Sequence, residues 1–107
     1  MRSPTCQLEI EKIRVDPSGR LFVQPRILAD EDFAFIYRAA MEVSWDPLSR
    51  SLFAPVPRQW SQVQWYKQIV AAVDKEYGTR LYVTARTQWQ NVSVEERREI
   101  EAWSTVT

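Results

Sequence analysis

The sequence predicts an α+β fold: an antiparallel sheet of about five strands with two helices covering one face, in the order β-β-short helical turn-β-β-α-β-α. Three observations point there. The first half of the chain is a series of short segments with period-two alternation, separated by turn residues. The second half holds two segments of helical period, each opened by a capping pattern. Hairpins come first and helices after, which places strands beside their sequence neighbours and helices on one side. At 107 residues the chain has the length of one domain. It reads as a single unit, 1–107, with loose ends at 1–6 and 104–107.

In QLEIEKIRV (7–15), Leu8 and Ile10 alternate with Glu9 and Glu11, and past Lys12 the phase shifts to Ile13 and Val15. One extra residue in a strand, a β-bulge, produces that shift. DPSG (16–19) has turn chemistry and RLFVQ (20–24) returns, so residues 7–24 read as a hairpin. The segment 29–45 carries two periods. Phe33, Ile36, Tyr37 and Ala40 sit at helical spacing, whereas Ala39, Met41, Val43 and Trp45 share one face of a strand. The expectation is a helical turn near 30–35, begun by Asp30, Glu31 and Asp32, feeding a strand from about 36 to 45. DPLSR (46–50) then turns and SLFAPV (51–56) returns, a second hairpin that sets Trp45 across from Phe53.

PVPRQWSQVQWYKQIV (55–70) opens the clearest helix. Ser61 and Gln64 form a capping-box pattern, and Trp60 and Trp65 occupy the two positions of a hydrophobic staple. Val63, Tyr66, Ile69, Val70, Val73 and Tyr77 recur at helical spacing, and Gly78 stands where a left-handed C-cap belongs. Trp65 and Tyr66 are adjacent, so they point about 100° apart and one of them belongs at the core's rim. RLYVTA (80–85) is a fifth strand, and TQWQNV (87–92) is a connection or strand end. Ser93 with Glu96 opens a second helix to about Trp103, with Val94, Ile100 and Trp103 inward.

Composition removes several kinds of chemistry. Fourteen basic and fourteen acidic side chains leave no net charge, and the signs interleave along the chain. Nucleic acid and anionic membranes need a concentrated basic patch, so neither is an expected partner. No apolar run approaches the length of a membrane helix and no leader pattern opens the chain. With one cysteine, Cys6, this predicts a soluble cytoplasmic protein in a reducing compartment. There is no histidine, so no Ser–His or Cys–His pair and no imidazole base. Zinc sites draw on histidine or several cysteines, so no metal is expected. Gly19 and Gly78 make no phosphate loop, and no cofactor is predicted.

What remains is carboxylate chemistry and binding. Glu42 and Asp46, around Trp45, are the weak catalytic candidates, because a carboxylate against tryptophan can hold its proton. The competing reading makes Asp46 a turn former ahead of Pro47. Glu95, Glu96, Glu99 and Glu101 interleave with Arg97 and Arg98 as a solvated helix face. Five tryptophans and eleven arginines supply the residue types that interfaces favour. The candidate binding residues are Trp89 with Gln88 and Gln90, Trp45, Phe53, Trp65, Tyr66 and Arg58. Core packing is the competing role for the aromatic ones.

Over about residues 36–92 the chain resembles a family of small bacterial proteins carried as single-gene cargo in integron cassettes. The matching features are Trp45-Asp46, the Pro57-Arg58-Gln59-Trp60-Ser61 stretch, Tyr77-Gly78 and Trp89. The resemblance implies a mobile, stand-alone protein, often oligomeric, and brings no active-site residue with it. The functional expectation is a non-enzymatic interaction protein, a homo-oligomer or the partner of another protein. Its rivals are a small-molecule-binding or carboxylate-dependent enzyme domain, with a tryptophan-lined pocket for a small apolar or aromatic ligand, and a toxin-neutralising immunity protein. The neutral charge balance weakens the last of these.

Overall fold

The structure is a computed structural model, and it describes residues 6–26, 32–40, 42–55 and 60–105. It is α+β, as the sequence predicts. Strands β1 (Cys6–Val15) and β2 (Leu21–Pro25) form the first hairpin. The register slips between Ile10 and Lys12, the expected bulge, and this keeps both Ile10 and Ile13 in the core. At the turn, the Asp16 carboxylate accepts the N–H groups of Ser18 (3.0 Å) and Arg20 (2.9 Å), and Gly19 takes φ 95°. The short polar side chain and the glycine are what this chain reversal requires.

Residues 32–46 depart from the expected turn-then-long-strand. A 3₁₀ turn occupies Ile36–Arg38, and strand β3 is only Ser44–Asp46. The helical spacing wins here. Phe33, Ile36, Ala40 and Val43, at intervals of three and four, are all buried, so a coiled backbone buries what a strand would have split between two faces. The acidic start expected at Asp30 and Glu31 lies outside the described residues, as does Met41. Strand β4 (Ser51–Phe53) pairs with β3 and with β2. Its register sets Trp45 opposite Leu52 and Ser44 opposite Phe53. Trp45 and Phe53 therefore point to opposite faces, not toward each other.

Helix α1 (Gln62–Tyr77) begins and ends as read from the sequence. Ser61 and Gln64 close a reciprocal capping box, with bonds of 3.2 and 2.8 Å. The Trp60 and Trp65 rings meet at 4.7 Å, and Gly78 caps the helix at φ 65° with its N–H on Asp74 O (2.9 Å). Strands β5 (Thr79–Tyr82) and β6 (Gln88–Gln90) follow, so the sheet has six strands. Its order is β3-β4-β2-β1-β5, with β6 also on β1. Both late strands run parallel to β1, a difference from the all-antiparallel expectation. A crossover through a helix returns the chain in its original direction, and that permits parallel pairing. Together β5 and β6 form one edge strand interrupted at residues 83–87.

Helix α2 (Val94–Thr105) opens at Ser93, whose hydroxyl accepts the Glu96 N–H and donates to the Glu96 carboxylate (both 3.1 Å). Ile100 is buried and Trp103 packs edge-on against Tyr66 at 5.7 Å. Val94 is 66% exposed, contrary to the inward position expected for it. Six residues separate it from Ile100, about 600° of rotation, so the two lie on different sides of the helix. Among the described residues, no helix is long and apolar enough to cross a membrane. The expected loose ends at 1–5 and 106–107 lie outside the described residues. Cys6 begins β1, and 104 and 105 belong to α2.

Candidate interaction site

The sheet separates the binding residues suggested by the sequence. Trp89 pairs with Ile13 and packs against the core on the helix side, with the Arg97 guanidinium 5.2 Å from its ring. Gln88 and Gln90 pair with Lys12 and Arg14 and point to the opposite face. The three do not make one surface. Trp45 also packs against the core, its ring 5.4 Å from Phe33. Of the adjacent helix pair, Tyr66 is fully buried and Trp65 sits at the rim beneath Trp60. Phe53 lies on the face turned away from the helices, stacked on Phe22 at 5.1 Å, and Arg14 covers Phe22 at 3.9 Å. Arg58 lies outside the described residues.

Neither carboxylate candidate lines the one groove seen among the described residues. Asp46 bonds within its own turn, to the Ser49 hydroxyl (2.7 Å) and the Leu48 N–H (3.1 Å). The Ser49 hydroxyl, aided by the Leu48 and Ser49 N–H groups and Arg14, holds its carboxyl below the usual range against the opposing pull of burial. Glu42 is exposed. A groove of about 420 Å³ between the helices is lined by Trp60, Gln64, Lys67, Gln68, Ala71 and Trp103, and contains neither acid.

The one buried carboxylate among the described residues is Glu9, on β1, which the sequence offered only as the polar half of an alternation. Arg26 from the end of β2 reaches its Oε1 (3.1 Å), and Arg86 from the 83–87 break grips both of its oxygens, Oε2 at 3.2 Å. The Thr84 hydroxyl donates to Oε2 as well. Arg26 continues to Glu11 (3.3 Å), which also accepts from Gln24 (3.0 Å). Thr84 lowers the Glu9 pKa most. Burial opposes it, and Arg86 and Arg26 add to the lowering. A carboxylate bound this way stays ionised and makes a poor proton acceptor. The network therefore fastens β1 to β2 and to the broken edge strand. Its partners stand 17, 75 and 77 residues from Glu9, and no local signal links them.

A different group of side chains stands outward without such a role. Phe33 and Ile36 anchor the 3₁₀ turn in the core. Phe33 meets Tyr77 edge-on at 4.9 Å, and the Phe35 N–H donates to the Tyr77 hydroxyl (2.9 Å). Burial pushes that hydroxyl's pKa upward, so it stays neutral. With the turn fixed on α1, Phe35 and Tyr37 project away from the core, 48% and 52% exposed, their rings 6.3 Å apart. Arg38 lies 4.5 Å over the Phe35 ring and reaches Glu76 at 3.8 Å. Tyr37 at helical spacing with Phe33 and Ile36 reads as a core residue in the sequence. The tight 3₁₀ turn rotates it outward instead.

The sequence model of the integron cassette protein Hfx_Cass5 matches residues 8–87. The chain belongs to that family. A solved structure from the mobile metagenome of North West Arm Sewage Outfall, Integron Cassette Protein Hfx_Cass5, is 39% identical. The alignment spans 97% of each chain, with a TM-score of 0.42. No curated protein matches. The Hfx_Cass5 match includes Glu9, Arg26, Arg86 and the whole of the 3₁₀ turn, and it ends before Trp89 and Trp103. It begins well ahead of residue 36, where the sequence resemblance starts, and takes in the first hairpin.

Proposed function

We propose that this integron cassette protein is a non-enzymatic interaction protein that assembles with copies of itself through Phe35, Tyr37 and Arg38. One observation carries the reading. Two aromatic rings and a stacked guanidinium stand half-exposed on a turn that Phe33 and Ile36 anchor in the core. Outward aromatic rings contribute little to folding, whereas aromatic residues and arginine are enriched at protein interfaces and supply most of their anchors. The Tyr77 bond and the Glu76 ion pair hold the group in place, so little ordering is left to oppose docking. A chain without net charge also meets no long-range repulsion from its own copies. Its one cysteine suits work in the reducing cytoplasm.

The double substitution Phe35→Ala, Tyr37→Ala tests this. Size-exclusion chromatography with light scattering is expected to shift from an oligomer to the 12.6 kDa monomer. Circular dichroism and melting temperature should stay close to those of the parent. An unchanged oligomer would move the interface elsewhere.

A further inference from the structure

The groove between α1 and α2 is built from residues that the assembly surface does not use. Gln64, Lys67, Gln68 and Ala71 recur at three- and four-residue steps and so share one side of α1, with Trp60 at its start and Trp103 from α2 opposite. Each indole is fixed from behind: Trp60 rests on Trp65 at 4.7 Å and Trp103 on Tyr66 at 5.7 Å. Flat apolar walls that are already ordered suit a flat apolar guest. The volume of about 420 Å³ falls within the range of small-molecule sites.

The polar residues in the lining specify the guest further. Lys67 is the only charged residue among the described ones that line it; its Nζ lies 5.9 Å from the Trp103 ring centroid and makes no ion pair among the described residues. Gln64 commits its carbonyl oxygen to the Ser61 N–H, which leaves its amide nitrogen as a donor. Gln68 adds a second amide. A cation and two amides between two indoles, with no acid among the described lining residues, complement a ring bearing a carboxylate. We propose that this groove binds a small aromatic carboxylate.

Naphthalene-1-carboxylate is the probe, with the neutral naphthalene-1-methanol as its counterpart. Both are titrated into 15N-labelled protein while the indole N–H signals are followed, Trp60 and Trp103 being assigned from their phenylalanine variants. The carboxylate is expected to shift the Trp60 and Trp103 signals saturably and to bind more tightly than the alcohol. Lys67→Gln, at an exposed position, should weaken the carboxylate about two- to five-fold, the range of a solvated ion pair, and leave the alcohol unchanged. Absence of saturation, shifts confined to the other three indoles, or an equal loss for both probes in Lys67→Gln would each overturn the proposal.

Discussion

At the scale of single residues, Glu9 and Trp89 show how far side-chain type alone can be read. Glu9 looks like any outward carboxylate in an alternating strand, and only the pairing of β1 with two distant segments brings Arg26, Arg86 and Thr84 onto it. Its carboxyl titrates lower in the fold than in the unfolded chain. The stabilisation it provides is therefore complete above the ordinary value near 4.5 and is lost as pH falls through the lower folded value. Denaturant melts of Glu9→Gln should show lower stability at neutral pH and a shallower decline on acidification than the parent. Asp16 and Asp46, also titrating low, would keep some decline in both. A parallel pair of curves would mean that Glu9 is not the group responsible. Trp89 reads as a binding residue by its type, yet it packs against the core under Arg97. Trp89→Ala should cost about 3 kcal/mol in urea unfolding through the void it leaves, with assembly unchanged in the surviving fold. Dissociation without loss of stability would return it to the surface.

At the scale of elements, what the sequence discloses depends on whether the signal is local. Helix α1 was legible at both ends, because Ser61, Gln64 and Gly78 act on backbone groups within four residues of themselves. The Ile10–Lys12 bulge was legible for the same reason: a phase shift is written into consecutive residues. Gly78 has open space around an added Cβ, so a side chain there costs only the left-handed backbone. Gly78→Ala should lower stability by about 1 kcal/mol, and Gly78→Asn by less, in the same melts. Equal stability of all three would contradict the cap. The 32–46 segment was not legible, since its residues satisfy two periods and only packing against α1 and Trp45 decides between them. Nor was the parallel edge formed by β5 and β6: alternation reports which face a residue takes and is silent on which strand lies beside it.

At the scale of the whole molecule, the class was legible and the site was not. Hairpins ahead of helices were enough for α+β, whereas a sequence without histidine or a glycine-rich loop offered no imidazole or phosphate-loop pattern from which to read a site. The predicted aromatic surface was scattered by the fold. Trp45, Trp65, Tyr66 and Trp89 went to the core or its rim, Phe53 to the far face of the sheet, and the exposed group became Phe35, Tyr37 and Arg38. Exposure is a property of the finished packing, so a tyrosine at core spacing and a tyrosine at an interface look alike in the sequence. Self-assembly through that turn can be read by sedimentation velocity of the untagged protein across a wide range of concentration. A concentration-dependent species at a multiple of 12.6 kDa is expected, abolished by Phe35→Ala, Tyr37→Ala. A parent protein that sediments as a monomer at every concentration would contradict it.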